Sequence, residues 1–170
     1  MNQINVQYYK TKIGELIVGS FDNKLCLFDF RYRKMRNSVD RRLQQGLDAE
    51  FINNDSNVLV QTRLEFDEYL NGDRKEFSIP LLLVGSCFQK NVWAGLMQVP
   101  FGETLSYLQL AKKIDAASAV RAVGSANGAN AISIFVPCHR IVGSQGELTG
   151  YGGGLAVKKR LLKLESESLF

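Results

Sequence analysis

The chain has 170 residues, of which 45% are hydrophobic and 22% charged, a composition typical of a folded globule and not of a disordered chain. No apolar run approaches the roughly 20 residues that cross a bilayer, and residues 1–10 lack the basic head and apolar core of a secretory signal. We therefore expect a cytoplasmic protein with no membrane partner. Residues 1–83 hold 12 basic and 12 acidic side chains, whereas residues 84–170 hold 9 and 5 and thus carry the whole net charge of +4. This excess indicates a polyanionic partner such as nucleic acid, although a solvated basic surface would have the same composition.

Three cysteines and a single histidine limit the redox and metal chemistry of the chain: Cys26, Cys87, Cys138 and His139. An odd number of cysteines without a secretory signal argues against a disulfide framework. Because the sequence has no C-x-x-C or H-x-x-x-H pair, we expect no metal site.

Residues 1–83 are predicted to form a small α+β domain without a catalytic motif. Short segments rich in branched and aromatic residues predict strands over Val6–Lys10, Gly14–Ser20 and Lys24–Phe30. The polar and basic segment Arg31–Asn54 predicts a loop or a ragged helix.

A helix with one apolar face is predicted over Asn57–Asn71, with Ser56 as its N-cap and Gly72 at its end. Glu76–Leu83 alternates briefly between polar and apolar residues and then becomes wholly apolar, as either a strand or a buried connector would.

The turn-forming pair Gly85-Ser86 marks a boundary, and the predicted domains are residues 1–83 and 84–170. After it the pattern becomes helical, and a first helix is predicted to end before Val99-Pro100. Ser106–Gln109 form a capping box of the S-x-x-Q type, which predicts a second helix that runs to about residue 113.

Two short helices joined by a tight turn at Asp115–Ala117 indicate a helix-turn-helix in this basic region, although αα-hairpins are common. The second of them, about Ser118–Ala126, has Arg121 as its one long basic side chain. Small side chains would let this helix approach a nucleic-acid groove closely, and they would suit close helix packing equally well. The small residues of this helix and its end are Ala119, Ala122, Gly124, Ser125, Ala126 and Gly128.

An apolar run that ends in Pro137 delivers Cys138, which is followed directly by His139. An imidazole that accepts the thiol proton would create a nucleophilic thiolate, and Glu165 is a candidate to orient that imidazole, as in a catalytic triad. Adjacent residues of a strand point in opposite directions, so a Cys–His contact needs a turn, which Pro137 suits, or a bridging water. Taken alone, such a pair is more often an inert buried cysteine beside a structural histidine.

Pro137-Cys138-His139-Arg140 matches the active-site signature of the O6-alkylguanine-DNA alkyltransferases, which the chain resembles over nearly all of residues 86–165. The resemblance extends to the segment before the helix-turn-helix, the recognition helix and hinge, the lesion-binding loop and the last helix. These matches are Phe88-Gln89, Val92-Trp93, Val99–Thr104, Ser106-Tyr107, Arg121–Gly124, Ala126-Asn127, Asn130, Gly150-Tyr151, Gly153–Leu155 and Lys158–Glu165. The resemblance implies an α+β fold: an N-terminal ribonuclease-H-like small α/β domain and a C-terminal winged-helix or helix-turn-helix-like, mainly helical domain.

The activity that this resemblance implies is direct-reversal DNA repair. A methyl or alkyl group would move once and irreversibly from O6 of guanine, or from O4 of thymine, to Cys138. The substrate would be double-stranded DNA, bound in its minor groove with the damaged base rotated out of the stack. No cofactor is implied, because the lesion itself supplies the alkyl group. We expect a monomer that associates with the nucleoid when it is on DNA, with cooperative binding left open.

The resemblance also implies a role for each site residue. His139 acts as a base through a water molecule, and Glu165 holds His139. Tyr107 crowds the target phosphate and lies near N3 of guanine, and Arg121 fills the hole left in the stack. Asn130 ties the recognition helix to the Cys138 loop. The remaining expected contacts with DNA are Ala122, Ser125, Ala126 and Asn130. Those expected around the base are Asn130, Tyr151, Gly152 and the carbonyls of Cys138 and Ile141.

The chain departs from the family at Ala131 and Ser133, where prolines are common, so the preferred alkyl group stays open. Some members bind zinc in the first domain, which we do not expect with Cys26 alone. A non-catalytic lesion-binding protein of the same fold is an alternative, but the presence of Cys138 argues against it. A hydrolase using Cys138 and His139 is another, although nothing in the sequence indicates its substrate.

Overall fold

An antiparallel β-meander begins the chain, as its branched and aromatic residues predict. In the computed structural model, which describes residues 2–167, the strands are β1 (Asn2–Thr11), β2 (Gly14–Phe21) and β3 (Lys24–Phe30). Asp22 and Asn23 join β2 to β3 with φ angles of 52° and 59°, because a two-residue hairpin turn of this hand needs left-handed backbone. The three predicted strands are confirmed, with β1 starting at Asn2.

The segment predicted as a loop or ragged helix contains two regular elements, α1 (Arg36–Leu47) and β4 (Ala49–Asn53). β4 pairs in parallel with β1, which gives the sheet the order β3-β2-β1-β4. The prediction was wrong in omitting β4. Five residues without strong alternation form a strand here because β1 supplies hydrogen-bond partners from 47 positions earlier in the chain, as in the pairing of Asn2 with Ala49.

A helix covers one face of this sheet; the predicted helix and its start are confirmed, and it ends at Leu70, one residue before the predicted end. It is α2 (Asn57–Leu70), whose first turn is capped by Ser56 Oγ, which accepts from the backbone N–H of Leu59 at 3.2 Å. Phe66 packs edge-on against Phe28 with ring centroids 4.9 Å apart. The segment after α2 is a connector and not a strand, since only one bridge, from Leu25 to Leu81, joins it to β3.

The chain divides between Gly85 and Ser86 into two compact units. The second unit is mainly helical, and Ser86–Gln89 and Ser106–Gln109 form capping boxes at its first two helices. The predicted capping box at Ser106 is thereby confirmed. The elements of this unit are α3 (Cys87–Leu96), β5 (Leu105–Ser106), α4 (Tyr107–Lys113), α5 (Val120–Gly128), β6 (Ile141–Val142) and α6 (Leu155–Glu167).

The two helices of the predicted helix-turn-helix are α4 and α5, and they pack on α3. α5 begins at Val120 instead of Ser118, because Ala117–Ala119 form a 3-10 turn before it. Trp93 of α3 is buried and donates its indole N–H to the carbonyl of Ala126 at 2.9 Å. This contact holds α5 against the core of the second unit, where Val92, Leu96, Leu110, Val123 and Leu161 are fully buried.

Candidate active site

The segment that leads to Cys138 is a tightly wound loop. Asn130 braces it: its amide nitrogen donates to the carbonyl of Val136 at 2.8 Å, and its amide oxygen accepts from the N–H of Ile132 at 3.0 Å. Ile134, which is buried, has a φ of 74°, an uncommon conformation for a β-branched residue. The braced loop thus holds strained backbone close to the cysteine.

Cys138 lies on a 3-10 turn, Cys138–Arg140, that follows Pro137. The turn expected at Pro137 is therefore present, and adjacent side chains here do not alternate as they would on a strand. Cys138 is buried, with 7% of its surface exposed, and carries a thiol that is not part of a disulfide.

His139 and Glu165 form a buried contact. The Nε2 atom of His139 lies 2.7 Å from Oε2 of Glu165, and the two side chains are 0% and 1% exposed. Burial lowers the pKa of His139, and this effect outweighs the negative charge of Glu165, which raises that pKa. Burial disfavours the charged form of Glu165, but hydrogen bonds and charge from His139 and Arg140 bring its pKa down to about 2. At neutral pH the site therefore holds a carboxylate and a neutral imidazole.

Two buried cations at the site were missed by sequence reasoning. Arg140 binds both oxygens of Glu165, at 2.8 and 3.0 Å. Lys158 is fully buried on α6, where its Nζ donates to the carbonyl of Gly150 at 3.1 Å. Burial lowers the pKa of Lys158, while the charge of a Cys138 thiolate raises it. Helical spacing was an available signal, because Lys158 and Glu165 lie seven positions apart and thus on one face of α6.

Tyr107 is the first residue of α4, and it contacts the loop before α6. Its hydroxyl lies 2.9 Å from Oγ1 of Thr149. A Cβ added at Gly124 of α5 would lie 3.7 Å from the ring of Tyr107, so the tyrosine packs beside α5. The ring therefore lies where α4, α5 and the loop around Thr149 meet.

Helix α5 has an exposed side and a buried side. Arg121, Ala122 and Ser125 are exposed. The expectation that Ala126 faces DNA is wrong, because Ala126 is 3% exposed and its carbonyl is occupied by Trp93. Asn130 is also buried, at 2%, and its amide hydrogen bonds brace the loop before Cys138, so it supports that loop from inside.

The residues expected to border a base follow the Cys138–Arg140 turn in the chain and differ in exposure. Tyr151 and Gly152 are half-buried, and Ile141 is fully buried. The backbone N–H of Ile141 donates to the carbonyl of Cys138. Among residues 2–167, no group of three or more His, Cys, Asp or Glu side chains is placed to hold a metal ion, and no helix is both long and apolar enough to cross a membrane.

The fold and this site together define a two-domain protein with a helix-turn-helix and a cysteine next to a buried histidine–glutamate pair. Residues 87–167 match the DNA-binding domain of 6-O-methylguanine DNA methyltransferase, and residues 4–83 match its ribonuclease-like domain. The chain belongs to the 6-O-methylguanine DNA methyltransferase family. The resemblance inferred from the P-C-H-R motif and the expected fold class are thus confirmed.

Relatives and solved structures match along nearly the whole chain. A methylated-DNA–protein-cysteine methyltransferase of Mycobacterium leprae is 49% identical over 98% of this chain and 94% of its own length. One from Haemophilus influenzae is 38% identical over 97% of this chain and 88% of its own. The crystal structure of Mycobacterium tuberculosis OGT in complex with DNA superposes with a TM-score of 0.80 at 33% identity, covering 98% of this chain and 94% of that one.

Proposed function

We propose that the chain repairs O6-alkylguanine in double-stranded DNA by one irreversible transfer of the alkyl group to Sγ of Cys138, and that O4-alkylthymine is repaired in the same way. The observation that carries the proposal is the 2.7 Å contact between buried His139 and Glu165, on the turn that also bears Cys138. Membership of the methyltransferase family supports the reaction, and the relative solved with DNA supports the partner.

The proton path follows from the charge of Glu165. Because this carboxylate is ionised, we assign the Nε2 hydrogen of His139 to the 2.7 Å contact, donated to Oε2. The lone pair is then on Nδ1, which is buried and has no hydrogen-bond partner among residues 2–167. Nδ1 takes the thiol proton of Cys138 through a water molecule, and a thiolate is formed.

The thiolate then attacks the alkyl carbon of the lesion in line. The S–C bond forms as the bond from carbon to O6 breaks, and its electron pair stays on O6. Guanine leaves as an anion and takes up a proton, while His139 releases the proton that it accepted from the thiol, so the charges balance. The thioether formed on Cys138 is stable and offers no leaving group, so the protein acts once and is consumed.

DNA binding is assigned to the exposed side of α5. Arg121 is its long basic side chain, and the small neighbours Ala122 and Ser125 let the helix approach the minor groove. We propose that Tyr107 crowds the target phosphate and that Arg121 occupies the space left by the base. An alkylated guanine pairs poorly, so its extrusion costs less than that of an intact base.

The extruded base is expected to lie between the Cys138 turn and the half-buried Tyr151 and Gly152. A carbonyl oxygen has two lone pairs. The Cys138 carbonyl accepts from the N–H of Ile141, and we propose that it and the carbonyl of Ile141 also accept from the guanine amino group. All these residues come from the second unit, so we propose that a monomer suffices and acts on the nucleoid in the cytoplasm, with cooperative binding on long DNA as a separate property.

Mass spectrometry tests the proposal directly. After incubation with excess duplex containing O6-methylguanine, we expect one added methyl mass, on the peptide that carries Cys138. Cys87 is exposed and serves as the internal control, because a merely reactive thiol would be labelled there. Sustained turnover would indicate a hydrolase, and tight lesion binding without a label would indicate a non-catalytic protein; either result contradicts the proposal.

A further inference from the structure

The guanidinium of Arg140 is fixed by three hydrogen bonds inside the second unit. Nε donates to Oε1 of Glu165 at 2.8 Å and Nη2 to Oε2 at 3.0 Å, while Nη1 donates to the carbonyl of Val99 at 2.8 Å. Its Cζ lies 5.7 Å from the ring centroid of Phe101. Arg140 is 7% exposed, so this planar fork is a buried feature of the site and not a surface ion pair.

These contacts leave the carboxylate of Glu165 little freedom to rotate. Oε2 accepts from His139 and from Arg140, while Oε1 accepts from Arg140 and, at 3.4 Å, from the N–H of Gly102. A two-pronged arginine contact fixes the plane of a carboxylate as well as its position. The orientation of the His139 ring, which is bound to the same carboxylate, is thereby fixed too.

We infer that Arg140 is a positioning residue of the transfer reaction: it clamps both oxygens of Glu165 and neutralises that carboxylate, and it thereby keeps His139 an uncharged ring able to take a proton. The catalytic role of Arg140 rests on the proposed function. The effect of Arg140 on the protonation of His139 concerns the protein alone and is measurable without DNA.

Without Arg140, the charge of Glu165 would act on His139 without compensation. A buried carboxylate 2.7 Å from an imidazole favours the imidazolium, and a charged ring has no lone pair for the thiol proton. Arg140 adds a positive charge to the same carboxylate, so His139 faces a neutral pair. The charged groups acting on His139 are Glu165 and Lys158 from α6 and Arg140 from its own turn, and both cations lower the pKa of His139, as burial does.

The experiment uses the fact that His139 is the only histidine of the chain, so an imidazole titration followed by NMR in the full-length protein has a single signal. We expect the wild-type pKa to lie below the ordinary value of about 6.5. Arg140→Gln removes the charge and leaves one donor, and should raise the pKa of His139 by about 1–3. Arg140→Lys keeps the charge and loses the fork, and should leave the pKa near that of the wild type. Arg160→Met, on the exposed side of α6, is the matched control and should change nothing.

Transfer rates measured against pH supply the second readout. With Arg140→Gln the midpoint of the rate profile should move upward with the pKa of His139. With Arg140→Lys the midpoint should stay in place while the rate falls by up to about 10²-fold, because the carboxylate is less well held. A residue needed only for folding would lower both rates without moving either midpoint.

Either of two results would overturn the inference. One is an Arg140→Gln protein, folded by circular dichroism, whose His139 titrates as in the wild type. The other needs no variant and holds even where Arg140→Gln does not fold: a wild-type His139 that is protonated at pH 7. If the chain transfers no alkyl group but His139 responds to Arg140 as stated, the proposed function fails and the electrostatic assignment remains. If the alkyl group moves to Cys138 but His139 does not respond, the proposed function stands and the role of Arg140 is refuted.

Discussion

Both units bury a carboxylate against arginine, and they use the arrangement differently. In the first unit Asp29 is fully buried and binds Arg33 at 3.2 Å and Arg36 at 3.1 Å. These partners follow it by four and seven positions, so the cluster fastens the end of β3 to the start of α1. In the second unit Glu165 binds His139 and Arg140, which lie 26 and 25 positions away.

A buried ion pair becomes a chemical site when it includes a group that titrates near neutral pH beside a nucleophile. The Asp29 cluster pairs a carboxyl group, whose pKa is raised by burial and lowered in part by Arg33 and Arg36, with guanidinium groups. No nucleophile is placed next to it in the sequence. The Glu165 cluster contains an imidazole, which titrates near neutral pH, and that imidazole directly follows a cysteine. A buried carboxylate bound to arginine therefore only stabilises the first unit, whereas in the second unit it holds an imidazole that can accept a proton.

The largest effect is expected at the nucleophile. Cys138→Ala should abolish alkyl transfer because no other atom at the site can form the thioether, while salt-dependent binding of undamaged duplex should persist. Transfer is measured as label on the protein, and binding by titration at several salt concentrations. Cys87→Ala, at an exposed thiol, should transfer at the wild-type rate; a label that moves to Cys87 or Cys26 would contradict the assignment.

Removal of the general base His139 should cause a large but incomplete loss of the transfer rate. His139→Ala should slow transfer by about 10²–10⁴-fold, the usual contribution of general-base catalysis, and Glu165→Gln should slow it less. The double variant should be no slower than His139→Ala alone, because the two groups act as a unit. Raising the pH toward the thiol's ordinary pKa of about 8.5 should partly restore His139→Ala. Wild-type rates for His139→Ala at neutral pH would refute the relay.

Disruption of the other buried cluster should cost stability and leave the chemistry unchanged. Asp29→Asn leaves two arginines without their buried partner and should lower the free energy of unfolding by about 3–5 kcal/mol, measured by urea unfolding followed by circular dichroism. The rate of transfer per folded molecule should not change. Asp55→Asn, at a side chain 45% exposed and paired with Arg63, is the control and should cost less than about 1 kcal/mol.

Acid should weaken the second unit in two steps. His139 is held neutral in the folded state, so its contribution is present at neutral pH and is lost as the pH falls below about 6.5. The pKa of Glu165 is lowered from 4.5 to about 2 on folding, so its contribution is present above 4.5 and is lost between 4.5 and 2. At about 1.4 kcal/mol per unit of pKa, this second step is about 3–4 kcal/mol.

Fluorescence of Trp93, the single tryptophan and a buried residue of the second unit, reports on these acid steps. Glu165→Gln should remove the lower step and leave the upper one. A wild-type protein whose Trp93 signal shows the same unfolding free energy at pH 7 and pH 3 would contradict both assignments.

The smallest effect is expected on the DNA-facing side. Arg121→Ala should slow repair in duplex DNA by raising its activation free energy by about 1–3 kcal/mol, the cost of deleting a side chain that stacks on bases. It should slow reaction with a free alkylguanine base much less, since only the duplex has a stack to refill. The comparison of the two substrates is the measurement, and equal losses on both would remove this role from Arg121.

Local sequence determined the elements whose causes lie within a few residues. The caps at Ser56 and Ser106 were identifiable because a hydroxyl and the N–H that it accepts from are only three positions apart. The order Pro137, Cys138, His139 likewise indicated a nucleophile beside a base, because the three residues are adjacent in the chain. Such interactions need no knowledge of the fold, because the chain cannot separate their partners.

Tertiary structure decided whatever depends on partners far away in the sequence. β4 exists because β1 offers it an edge, and Ala126 is buried because α5 packs on α3. The contact between His139 and Glu165 was expected from the logic of a catalytic triad and from the family resemblance, but its geometry is set by the packing of α6. The place of Arg140 in that contact was not predicted, because the sequence alone does not show whether an arginine in a motif is exposed or buried. Burial and orientation are set by packing across the whole unit, and packing leaves no local signature in the sequence.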